Sequence, residues 1–158
     1  MIELTSTSLD HTVDLGRRLS QLCQPGDVVA LDGELGAGKT QLVRGLALGM
    51  KLDPTQVSSP TFVFMHEYID EDATPLVHID AYRVTGPDDL ATLGFDDELR
   101  ETSVTAVEWA RLIQPALGEH RLHIQIEHRG DDQRQLTLEP HGRWTARLAE
   151  LKNLAPGH

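Results

Sequence analysis

The sequence predicts an α/β fold with a mixed, partly antiparallel central sheet. The segment 27–32 is predicted to be a strand, because the unbroken apolar run inside it, at 28–31, is typical of a strand that is buried on both faces of a sheet. A glycine-rich segment and a helical pattern follow it directly, which is the order of a βα unit. Later strand patterns are separated by short turns, as antiparallel neighbours are. Together these observations favour a sheet with helices packed against it.

Helix and strand patterns alternate in the first third of the chain. Ser8 is suited to cap a helix that runs to about residue 22, because apolar side chains recur there at helical spacing. The buried strand at 27–32 comes next. After the glycine-rich segment, a second helix is expected over 41–48, and Gly49 is suited to end it.

The middle of the chain predicts three further strands. The patterns at 61–69 and 76–80 flank a group of turn residues and predict a hairpin. Pro87 is suited to begin a short helix, because acidic residues follow it and interact favourably with a helix N-terminus. The third strand is expected at 104–107.

The last third predicts an antiparallel pair and a helical tail. Apolar and polar residues alternate at 122–126, and a return strand follows a turn at 135–138. A helical pattern begins at residue 143, and its apolar side chains are Trp144, Leu148 and Leu151. Because neither a repeat nor a long linker interrupts these patterns, we expect a single domain over 1–158 with a variable tail from about residue 143.

Composition excludes some classes of function. The formal net charge of −11 argues against a broad electrostatic grip on nucleic acid, although another subunit of a complex can hold an RNA. Cys23 is the sole cysteine, so no intramolecular disulfide or cysteine-rich zinc site can form, and it is expected to pack within its helix. No run approaches the ~18 apolar residues of a membrane span, and a cytoplasmic protein is expected.

The clearest chemical signal is the pattern Gly, four residues, Gly-Lys-Thr. It comprises Gly33, Glu34, Leu35, Gly36, Ala37, Gly38, Lys39 and Thr40. Glycines let the backbone curl so that successive N–H groups meet phosphate oxygens, and Lys39 and the Thr40 hydroxyl are expected to reach the phosphates and magnesium. The preceding strand and following helix are the context that this motif requires. The sequence therefore predicts a P-loop NTPase-like three-layer sandwich that binds a nucleoside triphosphate and Mg²⁺.

Two strands after the loop end in an acidic residue, Asp80 and Glu108. A carboxylate in this position either ligates magnesium and orients water or simply ends a strand at the surface. ATP is favoured over GTP, because the chain lacks the Asn-Lys-x-Asp segment that usually reads guanine. The hydroxyls at 58–61 either sense the γ-phosphate or cap a turn.

Four segments carry a family resemblance: the glycine-rich loop, Ser59-Pro60-Thr61-Phe62, His78-x-Asp80-x-Tyr82-Arg83 and Glu108-Trp109. In order and spacing, over about 8–138, they resemble the bacterial TsaE (YjeE) family. Members of that family are small ATPases needed to make threonylcarbamoyladenosine on tRNA. The loop is generic, whereas the second and third segments make the resemblance specific.

The resemblance implies roles for individual residues. Thr40 and Glu108 would ligate magnesium, and Asp80 would lie near the γ-phosphate and orient or activate water. Trp109 would lie beside the nucleotide, which is compatible with packing in the core. The implied nucleotide-contacting positions are 33–40, Gln41, Ser59, Thr61, Trp109 and Arg134.

The resemblance also implies partners. The chain would be an ATP-driven accessory subunit that resets the TsaD–TsaB pair, in which TsaD holds the transferase chemistry and tRNA is reached only through the complex. Two other interpretations stay open: a small-molecule or nucleoside kinase, and a non-catalytic ATP-dependent interaction module. A zinc site is not favoured, because His123 and His128 lie on opposite faces of their strand and are expected to be solvated.

Overall fold

A seven-stranded mixed sheet runs through the part of the chain that the computed structural model describes, residues 1–34, 38–53, 65–81 and 95–154. In chain order its strands are β1 (Ile2–Ser6), β2 (Val28–Gly33), β3 (Met65–Tyr68), β4 (Leu76–Asp80), β5 (Val104–Glu108), β6 (Arg121–His128) and β7 (Arg134–Pro140). In space the order is β1-β7-β6-β2-β5-β4-β3. The four central strands β6, β2, β5 and β4 are parallel, whereas the pairs β3–β4, β6–β7 and β7–β1 are antiparallel. The predicted mixed sheet and the β3–β4 hairpin are confirmed.

Helices lie in the connections between strands and form the C-terminal tail. The α-helices are α1 (Leu9–Ser20), α2 (Lys39–Gly49), α3 (Asp97–Thr102) and α4 (Leu148–Lys152), and 3-10 helices span Ala110–Ala116 and Gly142–Arg147. At the start of α1 the Ser8 hydroxyl accepts a 3.0 Å hydrogen bond from the backbone N–H of His11, which confirms the predicted cap. Within the described residues, no helix has the length and apolar character needed to cross a membrane.

Apolar side chains cover both faces of the sheet. Val29 and Leu31 of β2 share one buried cluster with α1, α2 and the C-terminal tail. Val28 and Ala30 share a second cluster with Phe95 and the 3-10 helix at 110–116. Successive side chains of β2 therefore enter opposite helical layers, because side chains alternate along a strand. The predicted three-layer arrangement is confirmed.

Helices α1 and α2 approach each other closely because glycine occupies their contact. A Cβ atom on Gly45 would lie 2.0 Å from the carbonyl oxygen of Val13, and one on Gly16 would lie 2.3 Å from that of Leu42. Any larger residue would force the two backbones apart. This contact holds the helix that begins at the glycine-rich loop against the body of the fold.

One strand and one helix boundary differ from the sequence patterns. β1 was not predicted, because five alternating residues at a chain end form too short a pattern to identify a strand. Its register against β7, with Ile2 opposite Leu138, extends the sheet by one strand. α2 begins at Lys39 rather than at residue 41, because the last residues of the loop motif already have helical conformation.

The tail is helical as predicted, but its apolar side is partly wrong. Trp144 and Leu151 are fully buried, whereas Leu148 is 39% exposed. The segment 142–147 is a 3-10 helix with three residues per turn, so the α-helical spacing used for the prediction does not apply across it.

Asp27 anchors this tail to the start of β2. Its carboxylate is fully buried and lies 2.6 Å from Nη1 of Arg147 and 3.0 Å from Nη2 of Arg143. The Arg147 guanidinium also lies 4.5 Å from the ring centre of Trp144. Cys23 packs nearby against the core, and burial, followed by the charge of Asp27, raises the pKa of its thiol. The predicted packing role of Cys23 is confirmed.

Several predictions concern residues outside the described ranges. They are the loop residues Leu35, Gly36 and Ala37, the segment 54–64 with Ser59 and Thr61, and the segment 82–94 with Tyr82, Arg83 and Pro87. The predictions for these positions stay predictions.

Candidate functional site

The glycine-rich loop joins the end of β2 to the start of α2. β2 ends at Gly33 and α2 begins at Lys39, so the described part of the loop lies where a strand meets a helix N-terminus. Gly38 precedes the helix with φ of 108°, in the left-handed region that favours glycine, and it gives the helix no side-chain cap. Gly38 has no side chain to cap the first N–H groups of α2, and a helix N-terminus of this kind can bind an anion.

Lys39 turns back over this loop. Its side-chain amine donates a 2.6 Å hydrogen bond to the carbonyl oxygen of Gly33 and lies 3.8 Å from the ring centre of Trp109. The residue is only 4% exposed. Burial lowers the pKa of its amine, and the carboxylates of Glu108, Asp80 and Asp32 oppose that shift without cancelling it.

The two candidate carboxylates lie side by side. β4 and β5 are parallel neighbours, and Asp80 is directly opposite Glu108 in their register. Glu108 is 3% exposed and Asp80 is half-buried. Residues opposite each other on paired strands project to the same face of a sheet. The sequence offered these acids as alternatives, and the fold brings both to the edge where Lys39 lies.

Glu108 also has a buried partner on β4. Nε2 of His78 lies 2.5 Å from Oε2 of Glu108, and both side chains are almost inaccessible to solvent. Sequence reasoning noted His78 only as part of the family motif and gave it no role. The signal for it was its position two residues before Asp80, which places both on one face of the strand.

Trp109 directly follows β5 and lies beside the loop. Its backbone has φ of 59°, an uncommon value for a residue with a large side chain. Its ring contacts the Lys39 amine and also packs against the second buried cluster. Trp109 thus lies beside Lys39 and also packs in the core, while its expected place beside a nucleotide stays a prediction.

Asp32 is a site residue that the sequence reasoning missed. It is 4% exposed, and its Oδ2 lies 2.7 Å from Nε2 of His123, while its Oδ1 accepts a hydrogen bond from the backbone N–H of Arg111. Burial raises the pKa of the Asp32 carboxyl, but His123 and Arg111 outweigh burial and hold that pKa below its ordinary value. The prediction that His123 is solvated is therefore wrong, whereas His128 is exposed as expected.

The opposite side of the loop is formed by β7 and α1. A Cβ atom on Gly38 would lie 3.6 Å from Nε of Arg134 and 3.8 Å from Cγ2 of Thr12. Arg134 thus lies beside Gly38 and is 6% exposed, and its implied contact with a nucleotide stays a prediction. Thr12 was not predicted. Its hydroxyl bonds with Ser6 and Ser8 at the start of α1, and only its methyl group faces Gly38.

The other predicted positions in the described part of the loop are more accessible. Glu34 is exposed, and Thr40 and Gln41 are half-buried in the first turn of α2. A cavity of about 310 Å³ opens beside Gly33 and Glu34 and reaches Trp109 and Arg111. The described residues contain no cluster of three or more potential metal ligands among His, Cys, Asp and Glu.

The family model for threonylcarbamoyl adenosine biosynthesis protein TsaE matches residues 6–136. The chain belongs to the TsaE family. It is 43% identical over 139 residues to the tRNA threonylcarbamoyladenosine biosynthesis protein TsaE of Streptomyces coelicolor, a match that covers 83% of this chain and 92% of that one. Against the TsaE protein of Bacillus subtilis it is 38% identical over 141 residues, with 89% and 87% covered.

A solved TsaE relative has the same architecture. The crystal structure of YdiB from Bacillus subtilis superposes with a TM-score of 0.75 at 32% sequence identity, covering 96% of this chain and 94% of the other. The fold inferred from the loop motif is therefore confirmed. Membership of the TsaE family assigns the chain to tRNA threonylcarbamoyladenosine biosynthesis.

Proposed function

We propose that this chain binds ATP with Mg²⁺ at the loop between β2 and α2 and hydrolyses it, as an accessory protein of threonylcarbamoyladenosine formation on tRNA. The observation that carries this proposal is the environment of Lys39. Its amine is nearly buried at the start of α2. The negative charges of three carboxylates favour its protonated form. A buried cation beside a helix N-terminus is well suited to bind the phosphates of a nucleotide.

The main chain supplies the remaining phosphate contacts. Gly38 holds a left-handed conformation directly before α2, and a side chain there would be strained. Gly38 offers no side-chain cap to the N–H groups that follow, and these groups carry the positive end of the helix dipole. Lys39 would exchange its hydrogen bond with Gly33 for one with a phosphate oxygen.

The residues at this edge fit a magnesium ion. Thr40 lies in the first turn of α2, and Glu108 ends β5 on the side of the sheet where Lys39 lies. A hydroxyl and a carboxylate are therefore both available as ligands. These are hard oxygen ligands of the kind that Mg²⁺ prefers. When bound, the ion would neutralise charge on the phosphate oxygens.

Asp80 supplies the second carboxylate. It is half-buried at the end of β4, directly opposite Glu108. Its negative charge favours the protonated form of Lys39. Its position beside the proposed metal ligand suits it to orient the attacking water rather than to replace Glu108. Because the two acids then serve different steps, removing either should harm turnover in a different way.

The proposed partners are the TsaD and TsaB proteins. A net charge of −11 argues against broad electrostatic binding of tRNA by this chain, so tRNA would be reached through the complex. The ATP-bound and ADP-bound forms of this chain would bind the TsaD–TsaB pair with different affinities. Hydrolysis would therefore release and reset the pair. Turnover by the isolated chain is expected to be slow.

The decisive experiment is co-purification of this chain with TsaD and TsaB in the presence of ADP, ATP or a slowly hydrolysed ATP analogue. Association that changes with the nucleotide, and single-turnover hydrolysis that the partners accelerate, are expected. The Lys39→Ala variant is the control and should show neither effect. Nucleotide-independent association without hydrolysis would contradict the proposal, and ATP consumption driven by nucleosides or metabolites without partners would instead indicate a kinase.

A further inference from the structure

His78 lies inside the fold in the middle of β4 and is fully buried. Its Nε2 atom is 2.5 Å from Oε2 of Glu108 on the neighbouring strand. An ionised carboxylate only accepts hydrogen bonds, so the imidazole N–H is the donor in this contact. The Nε2–H group of His78 therefore donates to Oε2 of Glu108.

The contact runs diagonally between two parallel strands. In the β4–β5 register, His78 is opposite Ala106, while Glu108 is opposite Asp80. Alternation along β4 places His78 and Asp80 on one face of the sheet, and Glu108 shares that face. The Glu108 side chain thus reaches back along the sheet to meet the imidazole.

Packing alone does not account for an imidazole at this position. Nδ1 of His78 is buried and has no hydrogen-bond partner among the described residues. A buried polar atom without a partner costs stability, and an apolar side chain of similar size would avoid that cost. Among the described residues, the ring nitrogen that has a partner is the one that faces Glu108, which indicates that the contact serves the carboxylate.

We propose that His78 is a positioning residue that holds the Glu108 carboxylate in the orientation in which it ligates Mg²⁺. This inference rests on the proposed function, because it concerns the magnesium site assigned there to Thr40 and Glu108. With Oε2 held by the imidazole, the carboxylate cannot rotate freely, and its other oxygen is kept for the cation. Hydrogen-bond partners of metal ligands typically change metal affinity by about 10–100-fold when removed.

The test measures magnesium binding rather than turnover. Calorimetry would give the affinity of Mg²⁺ for the protein–ADP complex and, separately, the affinity of ADP in the presence of a chelator. For His78→Leu we expect Mg²⁺ affinity to fall by about 10–100-fold, with ADP affinity in chelator unchanged. His78→Gln keeps an N–H donor of similar reach and should restore most of the Mg²⁺ affinity, whereas the shorter His78→Asn should not.

The matched control is His66→Leu. His66 is directly opposite His78 on β3 but is exposed, so the same substitution there should leave Mg²⁺ affinity unchanged. In a Glu108→Ala background, His78→Leu should cause no additional loss of Mg²⁺ affinity, because its effect acts through Glu108. If His78→Leu does not fold, the comparison of His78→Gln with His78→Asn tests the same point.

Two results would overturn the inference and leave the proposed function intact. One is wild-type Mg²⁺ affinity in folded His78→Leu and His78→Asn. The other is an equal loss of ADP affinity with and without magnesium, since that would show a role in folding of the loop region. A wild-type protein that binds ADP equally well with and without Mg²⁺ would instead overturn the proposed magnesium site, and the role of His78 with it.

Discussion

The side-chain amine of Lys39 donates a 2.6 Å hydrogen bond to the carbonyl oxygen of Gly33, the last residue of β2. This bond joins the two ends of the glycine-rich loop. It also keeps the amine over the ring of Trp109, where the negative charges of the carboxylates that end β4 and β5 stabilise its positive charge. An ammonium group has three donors, so the lysine can exchange this bond for one with a phosphate oxygen without a large rearrangement.

Replacing Lys39 by alanine should remove most ATP turnover. We expect a loss of about 10²–10³-fold, because the variant lacks the cation that stabilises charge on the transferring phosphate. Phosphate release in the presence of TsaD and TsaB would measure it. Lys152→Ala, at an exposed position in α4, is the matched control and should behave as wild type. Undiminished turnover by Lys39→Ala would refute the assignment of the loop.

Replacing the two strand-end acids should separate binding from hydrolysis. Glu108→Ala should weaken Mg²⁺-dependent nucleotide binding, because it removes a proposed metal ligand. Asp80→Ala should bind nucleotide nearly normally and hydrolyse it slowly. Nucleotide titrations with and without Mg²⁺, combined with single-turnover rates, distinguish the two variants. The reverse pattern would exchange their roles.

Asp32 should make folding stability depend on acidic pH. Its pKa is lowered in the folded state, so its contribution is fully present above the unfolded pKa of about 4 and is lost as the pH falls through the lower, folded value. The difference in unfolding free energy between wild type and Asp32→Asn should therefore be largest near neutral pH and shrink toward pH ~3. Denaturant unfolding at a series of pH values would measure it. A difference that grows on acidification would show that the sign is wrong.

Gly45→Ala should destabilise the fold through the α1–α2 contact. The added methyl would lie 2.0 Å from the carbonyl oxygen of Val13, so the helices must separate, at a cost of about 1–3 kcal/mol. Leu48→Ala, at a position of the same helix that is 44% exposed, should cost about 1 kcal/mol or less. Denaturant unfolding would compare the two, and equal stability of wild type and Gly45→Ala would contradict the packing model.

Local patterns were sufficient for the elements that carry the loop. The cap at Ser8, the buried run of β2 and the start of a helix after the glycines follow from neighbouring residues, and all three are present. The tail shows the limit of such patterns. A 3-10 turn before α4 changes the spacing of buried positions, so Leu148 is exposed although its sequence position suggested otherwise.

The amino-acid sequence was enough to indicate a phosphate-binding loop, two carboxylates at strand ends and the family, because each depends on residues close together in the chain or on a recognisable motif. Their spatial relationships came from the folded chain alone. That Glu108 lies beside both Asp80 and His78 depends on β5 pairing with β4, and that Arg134 reaches Gly38 depends on the position of β7. Strand order arises from contacts between residues far apart in sequence, and local periodicity carries no information about which strands become neighbours.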